Sequence, residues 1–144
     1  MSTTLRTRKS QKVYRNYTDG LDKSECVFCE FTLKSKQVIK GLKHFWIVTN
    51  IYGYDMWDSS GVKEHLMIVP KRHIDSIAEF NTEEKREFIE NLVAYEKKGY
   101  SIYARSANNS RKSVAHQHTH LIKVDNKIKR ILFFIKKPHL MISK

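Results

Sequence analysis

The stretch SVAHQHTHLI at residues 113–122 carries three histidines that alternate with other residues, out of seven in the whole chain. Alternation is the period of a β-strand, so this stretch predicts a strand with His116, His118 and His120 on one face. Imidazole titrates near neutral pH, ligates zinc and can act as a nucleophile, so the pattern favours a metal site or a catalytic site. An expression tag or a chance polar strand face would be the alternatives, but a tag is terminal and contiguous, whereas this run is internal and continues into apolar residues.

The length and hydropathy of the chain indicate one globular domain. A chain of 144 residues with 40% hydrophobic residues can bury a single core. No apolar stretch approaches the length of a membrane span, and residues 1–12 lack the apolar region of a secretory signal. We therefore expect a cytoplasmic location and no membrane partner.

The net charge favours anionic partners. The chain has 27 lysines and arginines against 15 aspartates and glutamates, which gives a formal net charge of +12. Such a charge favours binding of nucleotides, nucleic acid or another polyanion, but a lysine-rich surface that only increases solubility has the same composition. A nucleic-acid partner therefore stays open.

Composition divides the chain into three parts. Residues 1–22 form a basic arm with too few apolar residues to bury itself, so we expect it to be disordered or loosely docked. Residues 23–137 are the expected folded domain, and residues 138–144 are a short tail. The run Lys127–Lys137 is typical of an edge strand whose lysines oppose aggregation.

Local patterns predict an α+β domain with an antiparallel sheet of about five strands and one long helix. The helix is expected to begin at Asn81, a good N-cap with Glu84 three residues later in a pattern close to a capping box, and to stop at Gly99. Its apolar stripe is expected to contain Phe88, Leu92 and Tyr95, with Ile89 and Val93 beside it. The expected strands are residues 37–40, 44–49, 65–69, 100–105, 113–122 and 130–135, and residues 50–63 are an expected loop with several aromatic side chains.

Several motifs occur together in a distinctive order. Cys-x-x-Cys at residues 26–29 is followed by HLMIVPKRH at residues 65–73, the long helix, and Ser-Val-x-His-x-His-x-His from residue 113. Over about residues 26–124 the chain resembles the histidine-triad (HIT) nucleotide-binding superfamily. The resemblance implies a HIT-like fold, with the Cys-x-x-Cys pair on a short N-terminal helix or turn. It also implies a nucleotide hydrolase that takes a purine nucleotide or a nucleotide conjugate, and it allows a homodimer.

The resemblance assigns roles to three residues of the triad run. The middle histidine of the family, here His118, would attack the α-phosphorus of a nucleotide ester, anhydride or amidate, and water would hydrolyse the resulting nucleotidyl-histidine. His120 would donate to the phosphoryl oxygens, and Ser113 matches a serine that assists the phosphate and the leaving group. Family members that transfer the nucleotide to a second substrate often carry Gln at the third triad position, so His120 favours a hydrolase.

The two cysteines, Cys26 and Cys29, suit either a thiol-redox pair or half of a zinc site. Zinc-bearing members of the superfamily complete the site with two histidines, which here correspond to His73 and His116. Four nitrogen and sulfur ligands with no open position describe a structural zinc. Two free thiols and a hydrogen-bonded His116 are the alternative.

Further candidates for nucleotide contacts lie upstream of the triad. His65 occupies the position at which many family members carry a histidine near the phosphate, although a packed surface histidine is the alternative. In the commonest branch of the family an acidic residue binds the ribose hydroxyls, and Asn50, Asp55 and Asp58 are the candidates here.

The loop before the triad differs from the usual family pattern. Arg111 and Lys112 replace the common glycine-glutamine pair, which predicts a more cationic phosphate loop with Lys112 as a ligand-binding residue. Asn108 is a further candidate for a phosphate contact. Gln117 and Thr119 replace the usual apolar residues between the histidines, so we expect the opposite face to be less buried.

Two other functions stay open at this point. The basic arm and the charge of +12 favour an enzyme that removes an adenylate from the end of DNA or RNA. The other is a non-catalytic module, either a nucleotide sensor or a component docked on a ribonucleoprotein, whose binding would survive replacement of His118.

Overall fold

An antiparallel sheet of six strands is the framework of the structure, a computed structural model that describes residues 5–20, 25–133 and 140–143. Five strands form the sheet in the order β1-β2-β4-β6-β5, and β3 pairs with β4 beside this path. The expected α+β class with an antiparallel sheet of about five strands is thus confirmed. The helices and strands are α1 (Arg8–Asp19), β1 (Val38–Gly41), β2 (Phe45–Thr49), β3 (Met56–Trp57), β4 (Ser60–Pro70), α2 (Thr82–Glu96), β5 (Ser101–Ala104), β6 (Thr119–Ile128), β7 (Arg130–Phe133) and β8 (Leu140–Ser143), with a 3-10 turn at Ile77–Glu79.

The central strand β4 separates two apolar clusters. Its alternate residues point to opposite faces of the sheet. Leu66 and Ile68 join the larger cluster, which α2 covers with Phe88. Met67 and Val69 join the second cluster on the other face. Because both faces of this strand are covered, it is apolar throughout its second half rather than alternating.

The long helix is confirmed as α2. Asn81 and Glu84 form the expected capping box, in which each side chain accepts a hydrogen bond from the other residue's backbone N–H. Gly99 follows the helix with φ +83°, a left-handed conformation that favours glycine. Ile89 and Val93, expected beside the buried stripe, are instead largely exposed.

The expected loop at residues 50–63 contains regular structure. β3 and the first half of β4 form a hairpin whose two central residues, Asp58 and Ser59, have φ values of 46° and 63°. Positive φ at both positions is the geometry of the tight turns that suit the twist of paired strands. The strand expected at residues 65–69 therefore begins earlier, at Ser60.

The basic N-terminal arm, which we expected to be disordered or loosely docked, contains the helix α1. Thr7 caps this helix, and Asp55 accepts hydrogen bonds from the backbone of Thr7, at 2.6 Å, and from the hydroxyl of Ser10. The carbonyl of Leu5 accepts from the backbone N–H groups of Asp55 and Met56, at 2.9 and 3.1 Å. The low apolar content of this segment did not predict its order, because backbone and side-chain hydrogen bonds hold it against residues 55 and 56.

The C-terminal part of the described chain forms a separate two-stranded sheet. β7 lies within the strand expected at residues 130–135 and pairs with β8, which falls in the expected tail. Residues 134–139, which include part of the basic run that ends at Lys137, lie outside the described residues. Within the described residues, no helix combines the length and the apolar character needed to cross a membrane.

Candidate active site and metal site

A cavity of about 640 Å³ lies between the N-terminal segment, the Cys-x-x-Cys turn and the histidine run. His118, His120 and Ser113 all lie in its wall. Phe28 and Phe31 also line this cavity and stack on each other, with ring centroids 5.5 Å apart. The cavity therefore brings polar catalytic-type groups and apolar surface into one space, as small-molecule sites commonly do.

The three histidines do not share one strand as expected. β6 begins only at Thr119, so His116 and His118 lie in an irregular segment before it, and His120 alone is on the strand. The pairing with β4 ends at Ile68 opposite Thr119, and β4 itself ends at Pro70, which has no N–H to continue a ladder. The backbone N–H of Gln117 instead donates to the carbonyl of Ile74 at 2.6 Å. As a consequence, the first triad histidine serves a different site from the other two.

His118 has one ring nitrogen engaged and one free to react. Its Nδ1 lies 2.9 Å from the carbonyl oxygen of His116. A carbonyl only accepts, so Nδ1 carries the proton and Nε2 keeps its lone pair. Burial lowers the pKa of His118 to about 4. The ring is therefore neutral at pH 7 and presents a nucleophilic nitrogen.

A chain of hydrogen bonds fixes the opposite tautomer in His120. The backbone N–H of Tyr54 donates to Nδ1 of His65 at 3.0 Å, so the proton of His65 is on Nε2. That N–H donates to Nδ1 of His120 at 2.9 Å. The remaining proton of His120 is then on Nε2, a buried atom that has no hydrogen-bond partner among the described residues. His120 thus holds an N–H donor ready for a ligand.

His65 and His120, which this hydrogen bond joins, are both neutral at pH 7. Burial lowers the pKa of His65 to about 3, and the charge of Arg6 adds to this effect. Burial lowers the pKa of His120 well below its ordinary value, as do the neighbouring histidines and arginines. At neutral pH, His120 is consequently a hydrogen-bond donor and not a strong acid.

Asn50 lies at the edge of the same group and lines the cavity. Its side-chain oxygen accepts from the backbone N–H of Tyr52 at 3.1 Å, which fixes the orientation of the amide. The amide nitrogen is 3.3 Å from Nε2 of His65. Nε2 of His65 carries a proton and donates it in the 2.9 Å hydrogen bond to His120, so it cannot accept from the amide of Asn50. The amide N–H groups of Asn50 therefore remain available to a ligand in the cavity.

The other residues expected to bind the nucleotide lie outside the cavity wall. Asp55 does not line the cavity, because its carboxylate holds the N-terminus of α1. Asn108 lies exposed in the turn before the triad and outside the cavity wall, whereas its neighbour Asn109 is part of that wall. Lys112 is also outside the wall, and its ammonium group donates to the carbonyl of Asp75 at 2.6 Å. Asp58, in the β3–β4 turn, is exposed.

Sequence reasoning missed much of the opposite wall of the cavity. Arg6 and Tyr14 come from the N-terminal segment, and Arg105 follows β5. Tyr54 and Trp57, two aromatic side chains of the segment expected to be a loop, also line the cavity. No pattern in the sequence connects Arg6 with histidines more than a hundred positions away, so only the docked N-terminal segment reveals this contribution.

The four expected metal ligands form a separate cluster. One ligand atom from each of Cys26, Cys29, His73 and His116 lies within 4.8 Å of the others, so the cluster could hold a metal ion. Sγ of Cys26 and Nδ1 of His116 are 3.3 Å apart, and Sγ of Cys29 is 3.2 Å from Nδ1 of His73. Tetrahedral zinc with ordinary bond lengths separates sulfur and nitrogen ligands by about 3.6 Å.

The surroundings of the cluster fit a bound cation. Nε2 of His116 donates to the carbonyl of Pro70 at 2.9 Å, which leaves the lone pair of Nδ1 directed at the cysteines. Burial and the neighbouring Cys26 raise the pKa of Cys29 to about 11. A thiolate at this position would need a cation to be stable at neutral pH, and a metal ion supplies that charge. The Cys-x-x-Cys pair lies on a turn, as expected, with Cys29 N–H donating to the carbonyl of Cys26 at 2.9 Å.

Comparison with known proteins identifies the fold. No protein-family model matches the chain, and no curated protein matches it significantly by sequence. Among solved structures, the chain is similar to a HIT family hydrolase from Clostridium thermocellum, with 23% identity and a TM-score of 0.54 over 72% of this chain and 94% of that one. It is also similar to a HIT family hydrolase from Legionella pneumophila Philadelphia 1, with 21% identity and a TM-score of 0.52 over 73% and 96% of the two chains.

The chain thus has the fold of the histidine-triad proteins, as the motif order implied. At these identities the comparisons establish the architecture, and the chemistry must be argued from the side chains of this chain.

Proposed function

We propose that the protein is a nucleotide hydrolase that cleaves at the α-phosphate through a covalent nucleotidyl-histidine on His118. The observation that carries this proposal is the hydrogen bond from Nδ1 of His118 to the carbonyl of His116, at 2.9 Å, which leaves Nε2 as a free lone pair in the cavity wall. A neutral, oriented imidazole of this kind is an effective nucleophile toward phosphorus.

The reaction divides into two displacements. In the first, the Nε2 lone pair forms a nitrogen–phosphorus bond, and the bond from phosphorus to the leaving group breaks with its electron pair going to that group. The ring then carries a positive charge, which the carbonyl of His116 stabilises through the retained Nδ1 proton. In the second, a water oxygen attacks phosphorus, the nitrogen–phosphorus bond breaks back to Nε2, and the water proton leaves to solvent.

Two further groups act on the phosphoryl oxygens. The unpartnered Nε2–H of His120 is the donor for the negative charge that develops at phosphorus. Ser113, which also lines the cavity, supplies a hydroxyl for the phosphate or the leaving group. Phe28, whose ring centroid is 5.3 Å from that of His118, and Phe31 offer apolar surface for a purine base.

We also propose that Cys26, Cys29, His73 and His116 hold a structural zinc ion. The donor set, the separation of the ligand atoms and the tautomer of His116 support this assignment. The bound ion would fasten the turn that carries Phe28 to the segment that carries His118, and so position both without contact with substrate. Metal analysis of purified protein tests the proposal, with one equivalent of zinc as the expected result.

The experiment for the hydrolase is acid-quenched intact-mass spectrometry after brief incubation with adenosine phosphoramidate, a dinucleoside polyphosphate pool or a 5′-adenylated oligonucleotide. The variant His118→Asn keeps an amide N–H for the carbonyl of His116 but has no nucleophile, and His44→Asn, outside the cavity, is the matched control. We expect an adenylyl adduct or nucleotide release in the wild type and in His44→Asn, and neither in His118→Asn. Turnover that persists in His118→Asn would contradict the proposed nucleophile.

A nucleic-acid conjugate is a second candidate substrate. Arg105 and Arg111 in the cavity wall and the charge of +12 favour it. In that case, hydrolysis of the adenylated oligonucleotide would greatly exceed that of the small donors and would fall steeply with salt, because phosphate contacts release counterions.

A further inference from the structure

The N-terminal segment places a buried cation beside the histidines. Arg6 is only 8% exposed, and its guanidinium carbon lies 4.0 Å from the ring centroid of Tyr14 and 4.9 Å from that of Tyr54. Its Nη2 donates to the carbonyl of Tyr52 at 2.6 Å, while Nε is buried and has no hydrogen-bond partner among the described residues. The contacts of Arg6 within the chain thus leave part of its hydrogen-bonding capacity unused.

The described part of the chain provides no counter-ion for this cation. Within the described ranges, no carboxylate lies at ion-pair distance from Arg6. The carboxylate whose charge acts on Arg6 is that of Asp55, and it already accepts hydrogen bonds from Thr7 and Ser10 at the start of α1. A buried charge without a partner costs several kcal/mol, so such groups are normally paired or bound to a ligand.

A second guanidinium adjoins the first. Arg105 donates to the hydroxyl of Tyr54 at 3.1 Å, on the same ring that Arg6 covers, and both arginines line the cavity that contains His118 and His120. Both positive charges also act on the His120 imidazole. Two cations on one aromatic ring repel each other, unless an anion is placed between them or beside them.

We propose that Arg6 and Arg105 form a binding site for a phosphate carried by the leaving group of the substrate. Both arginines contact Tyr54, whose ring centroid is 5.4 Å from that of His120, whereas Phe28, the surface proposed for the base, lies beside His118. The site would therefore hold the part of the substrate that departs when His118 attacks the α-phosphorus. The substrate class is then a nucleotide joined to a further phosphate through a phosphoanhydride. This inference rests on the proposed hydrolase and selects among its leaving groups.

The chemistry of His120 agrees with this selection. An amine or an alkoxide leaving group needs a proton, and the neutral N–H of His120 supplies one less readily than a charged imidazolium would, so such donors should react more slowly. A phosphate leaves as an anion with the electron pair of the broken phosphorus–oxygen bond, and requires no proton from the enzyme. Two guanidinium groups would stabilise that anion as its charge develops.

The test compares ADP, whose leaving group is phosphate, with adenosine 5′-phosphoramidate, whose leaving group is an amine. For Arg6→Gln we expect kcat/KM for ADP to fall roughly 10- to 100-fold, the worth of a charged hydrogen bond, and kcat/KM for the phosphoramidate to change by less than about threefold. Arg6→Lys should recover part of the loss. Arg8→Gln removes the same charge from an exposed position two residues further on and should leave both donors unaffected. Equal losses for both donors in Arg6→Gln would show that Arg6 only holds the segment in place, and would overturn the proposal.

A binding measurement separates this site from the hydrolase itself. Calorimetric titration of the wild type with inorganic pyrophosphate should show binding that Arg6→Gln and Arg105→Gln each weaken about tenfold or more. Arg105→Gln serves as the second variant, because Arg105 is half-buried and lies outside the N-terminal segment. If the wild type hydrolyses no donor but binds pyrophosphate through these arginines, the hydrolase fails and the anion site stands. If the wild type hydrolyses donors but does not bind pyrophosphate, the anion site is refuted and the hydrolase stands.

Discussion

The tautomer of His120 should depend on His65, and this dependence can be tested without any substrate. In the wild type, the Tyr54 N–H forces the proton of His65 onto Nε2, and His65 in turn forces the proton of His120 onto Nε2. The substitution His65→Leu removes both hydrogen bonds and fills most of the space with an apolar group. His120 would then be free to place its proton on Nδ1 and to lose its donor toward the cavity.

The size of the effect follows from the groups left behind. His65→Leu leaves the Tyr54 N–H and Nδ1 of His120 buried without partners, at about 1–3 kcal/mol each. We expect a loss of about 2–4 kcal/mol in the free energy of unfolding, which corresponds to a fall of about 5–15 °C in Tm for a chain of this size. Loss of a donor aimed at the phosphoryl group should lower kcat by about 100-fold in addition.

Nitrogen-15 NMR of the imidazoles at pH 7 is the assay, because protonated and unprotonated ring nitrogens have well-separated chemical shifts. We expect the proton on Nε2 in His65 and His120 and on Nδ1 in His118, and a mixture of tautomers at His120 in the His65→Leu variant. A wild-type His120 with its proton on Nδ1 would refute the reasoning, as would a variant in which the tautomer of His120 is unchanged.

Three other predictions concern the supports of the site. Glu84→Gln should lower the free energy of unfolding by about 1–2 kcal/mol at pH 7, since the carboxylate accepts two hydrogen bonds from Arg72. The hydrogen bond from Arg72 lowers the pKa of Glu84 in the folded protein. The ionised Glu84 therefore stabilises the fold fully at a pH above the ordinary pKa of Glu, and this stabilisation is lost as the pH falls through the lowered pKa of the folded state. Urea unfolding at pH 7 and pH 3 should therefore show a difference between wild type and variant that shrinks in acid, and a constant difference would contradict the assignment. Cys29→Ser should reduce bound zinc to below half an equivalent and lower Tm, measured by metal analysis and calorimetry, whereas a Tm that is insensitive to chelation in the wild type would argue against a structural metal. Asp55→Ala should release α1 and raise hydrogen exchange in residues 8–19 at least tenfold, while unchanged protection there would show that Asp55 does not hold the helix.

Local signals predicted the parts of the fold that local physics controls. The capping box of Asn81 and Glu84 fixed the start of α2, because a side chain that caps a helix does so within its own first turn. The apolar run before Pro70 marked β4, and the order of strands and helix indicated an α+β sheet. The four ligands of the metal cluster followed from the family resemblance, and their clustering in the structure agrees with it.

Local signals failed where a distant partner decides the conformation. The alternation of the histidines predicted a strand, but β4 ends at Pro70 and offers no ladder to His116 and His118. The polar arm was expected to be disordered or loosely docked, but it contains a helix whose N-cap Thr7 is bound by Asp55, and Tyr17 stacks on Tyr52 with ring centroids 4.2 Å apart. Asp55 was one of three candidates for a ribose contact, and its carboxylate instead accepts hydrogen bonds from the backbone of Thr7 and the hydroxyl of Ser10.

The sequence by itself determined which chemical groups the protein has and the order in which they occur, since motif spacing and helix caps act over a few residues. The tertiary structure alone decided how those groups are used: which nitrogen of each histidine holds the proton, and that Arg6 reaches the cavity. Tautomers and buried ion positions depend on hydrogen-bond partners such as the His116 carbonyl and the Tyr54 N–H, and those partners are set by how the segments pack.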